Sequence, residues 1–188
     1  MQDQIKIGYD RVTDVLSPFS GMDKIPEDIL NRAAERGTLV HELCDQRIEG
    51  FDDLFIPDHV QGYIDSFSQW HTDDRVYVKN PGRLYCDTYM ITGESDCIYA
   101  DDNDGLVLVD FKTSANEGKT WHLQGSAYKH LLRKEGYTIS RIEFVKLDKD
   151  GKKPISYFYE DSIEEFEVLW RVYCKYFKNK KGAPKKRS

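Results

Sequence analysis

Three carboxylates and a lysine that could act together, Glu94, Asp96, Asp110 and Lys112, lie in one short segment of the chain, which reads GESDCIYADDNDGLVLVDFKTS. Apolar stretches on either side of its turn-forming residues predict a β-hairpin whose turn is centred on Asn103. Symmetric pairing about that centre places Asp96 opposite Asp110, and Glu94 opposite Lys112. Directly opposed side chains share a face, with Cβ atoms about 4.5–5.5 Å apart. The four side chains are therefore expected to cluster at one end of the hairpin.

The rest of this hairpin is apolar on both faces, which is typical of buried central strands. Two carboxylates that meet in such a place lose hydration and repel each other, unless a cation compensates. A Mg²⁺ or Mn²⁺ ion would do so, because hard cations prefer oxygen ligands. A salt-bridge cluster with Lys112 is the alternative, and the hairpin alone leaves both explanations open.

The elements that must position these residues are helices on either side of a run of strands. Pro26 opens a long helix that ends near Gly50, and a second helix follows Pro57. Later helices are predicted over residues 119–134 and 162–176. Strands are predicted over residues 4–10, 75–79, 84–90, 94–100, 106–113, 139–147 and 155–159, with a helical turn over 13–16 that stops at Pro18. This order predicts an α/β fold with a mixed sheet.

Two of the predicted helices carry further residues that could do chemistry. His41 lies on the long helix, one step from its apolar stripe, where a lone histidine is more often a packed core residue than a ligand. Gln124 and Tyr128 are four residues apart and therefore lie on one face of the later helix. By itself that pair would be ordinary helix surface.

Taken together, these segments form an ordered set of motifs. They are R-G-T-x-V-H at 36–41, G-x-x-D at 93–96, V-D-F-K-T-S at 109–114 and Q-x-x-x-Y at 124–128, preceded by R-V-T-D-V-L at 11–16. The set resembles the PD-(D/E)XK nuclease superfamily, in the RecB-like and Cas4-like exonuclease branch that includes phage-type enzymes. The resemblance covers roughly residues 30–150. It implies a restriction-endonuclease-like core, in which helices flank a central mixed β-sheet in the order αβββαβ.

The resemblance also implies roles for individual residues. One or two Mg²⁺ or Mn²⁺ ions would be held by His41, Asp96, Asp110 and the backbone carbonyl of Phe111. Lys112 would orient or activate the attacking water and stabilise charge on the scissile phosphate. The remaining residues with implied roles are Gln124 and Tyr128, which would support the catalytic site, and Arg36, Thr38, Thr113 and Ser114, which would bind substrate. Glu94 matches no fixed family position and is expected either to pair with Lys112 or to bind a second metal ion.

Charge is distributed unevenly along the 188 residues, whose formal net charge is −6. Seven of the 27 basic residues lie from Lys175 onward, where no acidic residue occurs. The remaining 20 basic residues face 33 acidic ones, which argues against a passive nucleic-acid binder with a basic face. We expect a single domain over residues 1–176 and a basic, flexible tail over 177–188. The tail is open to two interpretations, a phosphate contact or a solvated end.

Cysteine usage and hydropathy exclude several other classes of protein. The four cysteines form no C-x-x-C pair, which favours free buried thiols over a disulfide framework or a zinc site. Iron–sulfur members of the resembled branch carry three cysteines near the C-terminus, whereas here only Cys174 lies in that region, so no iron–sulfur cluster is expected. Neither a run of roughly 18 apolar residues nor a secretory signal is visible. We expect no membrane association and a cytoplasmic location, in the host cytoplasm if the chain is phage-encoded.

The preferred function is a metal-dependent exonuclease that hydrolyses linear DNA in recombination, replication or repair. An endonuclease of the same fold is one alternative, although little chain remains for base readout. A non-catalytic module that binds DNA ends is another, but such a relic would be expected to have lost one of Asp96, Asp110 and Lys112. Besides DNA, a single-strand-binding or recombination protein is an expected partner. Either such a partner or a ring-shaped oligomer of the chain would be needed for processive degradation.

Overall fold

A computed structural model describes residues 6–72, 75–101 and 105–178 of the chain. The helices are α1 (Val12–Ser20), α2 (Glu27–Ile48), α3 (Asp58–Trp70), α4 (Trp121–Lys134) and α5 (Ile163–Tyr176), with a 3₁₀ turn at Met22–Lys24. The strands are β1 (Asp10–Arg11), β2 (Val76–Val78), β3 (Leu84–Cys86), β4 (Ile91–Gly93), β5 (Cys97–Ala100), β6 (Leu106–Lys112), β7 (Ile139–Lys146) and β8 (Ile155–Tyr159). The centre of the predicted turn at Asn103 and most of the predicted basic tail lie outside the described residues.

The main sheet has the strand order β2-β5-β6-β7-β8. Strands β6 and β7 are parallel, and their connection is helix α4; every other neighbouring pair in this sheet is antiparallel. When β3 and β4, which belong to a second sheet, are left out, α3, β2, β5, β6, α4 and β7 occur along the chain in the order αβββαβ, and β8 adds an antiparallel edge. The predicted α/β fold, with helices flanking a central mixed sheet, is confirmed.

Each face of the main sheet is covered by its own hydrophobic cluster. Helices α2 and α3 cover one face, where Val107, Val109 and Phe111 of β6 are fully buried. Helices α1, α4 and α5 cover the other face, where Leu108 of β6 packs among their apolar side chains. Strand β6 is thus buried on both faces, as its apolar composition predicts. Among the described helices, none is long and apolar enough to cross a membrane.

A buried carboxylate ties α3 to the sheet on the face covered by α2 and α3. Glu143 of β7 is 2% exposed. Its Oε1 accepts hydrogen bonds from Trp70 Nε1 at 3.0 Å and Ser156 Oγ at 2.6 Å. Its Oε2 accepts a hydrogen bond from the Tyr99 hydroxyl at 2.8 Å. Both oxygens therefore have neutral donors, as a buried charge requires.

Three of the sequence-based assignments are wrong. The strand predicted over residues 84–90 is a hairpin, because the chain turns at Met90 (φ 50°) and pairs β3 with β4. Apolar residues in that turn gave the appearance of a continuous strand, but Tyr89 packs on Trp170 of α5 instead, with ring centroids 5.1 Å apart. Strands β3 and β4 join β1 in a separate three-stranded sheet. In the described part of the predicted first strand, residues 6–10, only Asp10 lies in a strand (β1), and α1 continues through Pro18 to Ser20.

The close approach of α4 to β7 requires a residue without a side chain at position 125. A Cβ added to Gly125 would lie 2.4 Å from Ile142 Cγ2 and 3.0 Å from Phe144 Cε2. At Gly37 of α2, by contrast, the nearest atom to an added Cβ is Thr113 Oγ1 at 3.8 Å, an ordinary contact.

We expect Gly125→Ala to lower the free energy of unfolding by about 1–3 kcal/mol, because the overpacked Cβ forces α4 away from the sheet. Gly37→Ala is the matched control and is expected to stabilise the protein by up to about 1 kcal/mol, since alanine favours the helix. Urea unfolding of both variants measures these changes. Equal effects of the two substitutions would show that helix propensity, rather than packing, decides the result.

Candidate active site

The site is built on the C-terminal end of β6, where polar residues replace apolar ones on the face towards α4. Asp110 is 3% exposed, although it is charged, and Lys112 follows it on the same face. The Lys112 ammonium lies 2.7 Å from Asp110 Oδ2. Alternation along a strand places residues two apart on one face, so the buried face of β6 changes here from hydrophobic core to an ion pair.

Asp96 immediately precedes β5 and meets the same end of β6. The antiparallel register runs from Ala100 opposite Leu106 to Cys97 opposite Val109, as predicted, and the Asp96 amide continues it by donating to the Val109 carbonyl at 3.1 Å. Asp96 Oδ2 accepts a hydrogen bond from the Phe111 amide at 2.5 Å. Its Oδ1 lies 2.7 Å from His41 Nδ1 of α2. His41 is thus directed at the site by Asp96 rather than packed in the core.

Gln124 of α4 connects the remaining polar groups. Its Oε1 accepts a hydrogen bond from Lys112 Nζ at 3.0 Å. Its Nε2 donates to Asp110 Oδ1 at 3.1 Å and to the Tyr128 hydroxyl at 2.9 Å. Gln124 and Tyr128 are both buried, so this pair is not helix surface. A single amide therefore fixes the lysine, the aspartate and the tyrosine relative to one another.

Burial and neighbouring charges shift the pKa values of these groups. Burial opposes protonation of His41, but the charge and hydrogen bond of Asp96 outweigh it and raise the pKa of His41 to about 9. Burial raises the pKa of Asp110 to about 6; the Lys112 charge opposes this rise and Asp96 adds to it. Burial also raises the pKa of Tyr128, which stays neutral and able to donate a hydrogen bond. The site thus holds two cation–carboxylate pairs, His41–Asp96 and Lys112–Asp110.

The structure gives Glu94 a partner other than Lys112. The β5–β6 ladder ends at Cys97, and Glu94 lies beyond it, next to β4. Its Oε2 is 3.2 Å from Nη2 of Arg83, whereas Lys112 contacts Asp110 and Gln124. The expected Glu94–Lys112 pair is therefore wrong, because the chain leaves the hairpin register before it reaches Glu94.

The residues expected to bind substrate lie around the exit of β6 and on the nearby part of α2. Arg36 Nη2 donates to the carbonyl of Thr113 at 3.4 Å. Ser114 is exposed, and its hydroxyl donates to the Asn116 carbonyl at 2.9 Å. Thr38 is exposed on α2. These positions border the carboxylates, and their role in substrate binding stays a prediction.

Three residues near the site were not found from the sequence. Asn80 Nδ2 donates to the carbonyls of Ser95 at 2.6 Å and Asp96 at 3.0 Å, although its Asn-Pro-Gly setting indicated only a turn. Tyr63 of α3 donates to the Thr113 carbonyl at 3.4 Å. Asp45 lies one turn after His41 on α2, and burial together with the Asp96 charge raises its pKa to about 7. The i, i+4 spacing from His41 was the available signal for Asp45.

The donor atoms at this site suit a divalent cation in kind. Asp110 Oδ2 is buried without a hydrogen bond of good geometry, and Asp96, His41 and the Phe111 carbonyl supply further oxygen and nitrogen donors nearby. Mg²⁺ and Mn²⁺ prefer such carboxylate and carbonyl oxygens, and Mn²⁺ also accepts imidazole. Within the described residues, no three His, Cys, Asp or Glu side chains are already arranged around one point. To bind a metal ion, Asp96 and Asp110 would therefore have to leave their present ion pairs with His41 and Lys112 and coordinate the metal instead.

Comparisons with known proteins yield structural matches alone. No protein-family model matches the sequence, and no curated protein is similar to it at the significance required. The structure is similar to the crystal structure of SSO0001, at 15% identity and a TM-score of 0.44, over 92% of this chain and 76% of that one. It is also similar to an alkaline exonuclease (LHK-Exo) from Laribacter hongkongensis, at 14% identity and a TM-score of 0.46, over 89% of this chain and 87% of that one.

We expect Gln124→Met to lower the free energy of unfolding by about 1–3 kcal/mol, because it removes the hydrogen-bond partner of buried Asp110, Lys112 and Tyr128 groups. Gln61→Met on α3 is the control, since the Gln61 side chain is exposed and its amide donates to Asp65 Oδ1 at 2.8 Å. That change is expected to stay within about 0.5 kcal/mol. Urea unfolding compares the two. Identical midpoints would mean that the Gln124 network contributes nothing to stability.

Proposed function

We propose that this protein is a divalent-metal-dependent deoxyribonuclease of the PD-(D/E)XK superfamily, in its RecB-like branch. One observation carries the proposal: Asp110 and Lys112 form a buried pair fixed by Gln124, directly beside the Asp96–His41 pair. A purely structural carboxylate would be expected to have all its oxygens satisfied by neutral donors, as Glu143 does. Asp110 instead has the Lys112 ammonium 2.7 Å from its Oδ2, an oxygen without a hydrogen bond of good geometry.

Asp96, Asp110, His41 and the Phe111 carbonyl would hold one or two Mg²⁺ or Mn²⁺ ions. When bound, such an ion supplies a Lewis acid for a phosphoryl oxygen and lowers the pKa of a water molecule. The Phe111 amide donates to Asp96 Oδ2, and the Asn80 side-chain amide donates to the Asp96 backbone carbonyl. These contacts would hold the Asp96 carboxylate in position while a metal ion binds. Orientation by such neighbouring groups is what metal ligands generally require.

Lys112 is the residue that would place positive charge beside the scissile phosphate, where negative charge develops in the transition state. Its ammonium lies 5.1 Å from the ring centroid of Phe144 and 5.9 Å from that of Trp121, so the two aromatic rings limit its movement. Gln124 fixes its direction through one hydrogen bond at 3.0 Å. A cation held in advance costs no reorganisation when the phosphate reaches its transition state. Lys112 would also orient the attacking water.

DNA is the proposed substrate, and linear DNA is the preferred form. The preferred activity is that of an exonuclease rather than an endonuclease, with a role in recombination, replication or repair. A single-strand-binding or recombination protein, or a further copy of the chain, would supply processivity.

End-labelled linear and circular DNAs, each single- and double-stranded, test the proposal in the presence of Mg²⁺ or Mn²⁺. We expect linear DNA to be degraded, chelation to abolish the reaction, and Asp110→Ala to reduce the rate by at least about a hundredfold. Circles cut as readily as linear DNA would replace the exonuclease with an endonuclease. Binding of all four DNAs without cleavage would contradict the enzyme proposal and leave a DNA-end-binding module.

Substitution of Lys112 tests the role given to its charge. Lys112→Met is expected to lower the single-turnover rate constant of cleavage by about 10²–10³-fold, the effect typical of removing one preorganised group that stabilises the transition state. Lys152→Met is the control, because Lys152 is an exposed lysine whose ammonium lies 3.8 Å from Asp150 Oδ2. Single-turnover hydrolysis of linear DNA with saturating enzyme measures both. If the two variants cleave at the same rate, Lys112 has no part in the chemical step.

A further inference from the structure

A second lysine stands beside Lys112, at the end of the neighbouring parallel strand. Lys146 is the last residue of β7 and is the register partner of Lys112. Hydrogen-bonded strands lie about 4.8 Å apart, so the two lysines begin from adjacent backbone positions. Phe144, two residues earlier on β7, contacts the Lys112 ammonium across this face. Because residues two apart share a face, Lys146 lies on the same side of the sheet as Lys112.

The Lys146 ammonium keeps most of its binding capacity. Its Nζ donates to the Ala115 carbonyl at 3.0 Å, and among the described residues it forms no ion pair with a carboxylate. The next acidic residue along the chain, Asp148, accepts the backbone amides of Asp150 and Lys152 at its Oδ1, at 2.9 and 3.4 Å. An ammonium carries three donors, and a neutral carbonyl uses one of them. The side chain is only partly buried, so the remaining N–H groups can reach a ligand.

The segment that Lys146 touches is the loop that leaves the proposed active site. Residues 113–116 follow Lys112 directly. Arg36 and Tyr63 hold the Thr113 carbonyl from α2 and α3, and Lys146 holds the Ala115 carbonyl from β7. Arg36 Nε is itself buried without a hydrogen-bond partner. Cations from α2, β6 and β7 therefore converge where β6 ends, although the whole chain has a net charge of −6.

We propose that Lys146 binds the DNA backbone phosphate next to the one that Lys112 contacts. This inference rests on the proposed nuclease function. A phosphate at this position would accept from the ammonium N–H groups that the Ala115 carbonyl leaves unused, and a charge-assisted hydrogen bond to an anion is stronger than one to a neutral oxygen. The contact would position the strand without reading its sequence.

Three variants separate a phosphate contact from a purely structural one. Lys146→Gln removes the charge but keeps a donor for the Ala115 carbonyl, whereas Lys146→Arg keeps both. Lys153→Gln is the matched control, because Lys153 is an exposed lysine on the adjoining loop. DNA binding is measured in the full-length Asp110→Ala background, over a series of salt concentrations. Steady-state hydrolysis is measured in the otherwise unaltered chain.

We expect Lys146→Gln to make the plot of log K against log[salt] shallower by about 0.9, the contribution of one neutralised phosphate. In hydrolysis its KM is expected to rise several-fold with kcat retained, since a backbone contact acts equally on the ground and transition states. Lys146→Arg is expected to restore both values.

Two results would overturn the inference, and they differ from each other. If Lys146→Gln keeps the salt slope of the Lys153→Gln control, Lys146 serves only to hold the loop, and the nuclease proposal stands. If the Asp110→Ala chain fails to bind any DNA and the unaltered chain fails to cut it, the proposed function and the inference fall together. Urea unfolding of Lys146→Gln reports whether the loop contact affects stability.

Discussion

The Asp110 carboxylate is buried on the central strand, so the surrounding structure must supply it with a counter-charge and a hydrogen-bond donor. Burial raises its pKa to about 6, while the nearby Lys112 charge opposes that rise. Gln124 connects both groups through one amide, and it reaches them because α4 lies directly against β7 at Gly125. The packing of one helix on one strand therefore decides whether the polar network can form. The contact between α4 and β7 thus belongs both to the hydrophobic core and to the support of the site.

The two buried carboxylates, Glu143 and Asp110, differ in the groups that satisfy their oxygens. Glu143 receives three hydrogen bonds from neutral donors and joins α3 to the sheet. Asp110 has an amide on one oxygen and an ammonium beside the other, which lacks a hydrogen bond of good geometry. Buried charge without full neutral satisfaction is costly, and such cost is commonly retained where a ligand or reaction uses it. The proposed metal chemistry is one such use.

The acidic composition of the chain and its proposed substrate are compatible because charge acts locally. Arg36, Lys112 and Lys146 come from three different elements and meet at the exit of β6. Salt screens charges beyond about 8–10 Å, so distant acidic residues weaken such a local field less than their number suggests. Asp45, one turn after His41 on α2, adds a further carboxyl group near Asp96, and burial together with the Asp96 charge raises its pKa to about 7. Phosphate and metal would thus occupy adjacent regions of opposite charge.

The sequence alone determined the long helices, the α/β layout with a mixed sheet and the hairpin register from Ala100–Leu106 to Cys97–Val109. These features are encoded locally. Hydrophobic periodicity indicates which face of an element is buried, and turn residues indicate where the element ends. The tertiary structure decided which element covers that face. Pairing of Glu94 with Arg83, burial of Gln124, and the position of Lys146 beside Lys112 all depend on contacts between segments distant in the chain. No periodicity within one segment encodes such contacts, since they follow from how helices and strands pack against one another.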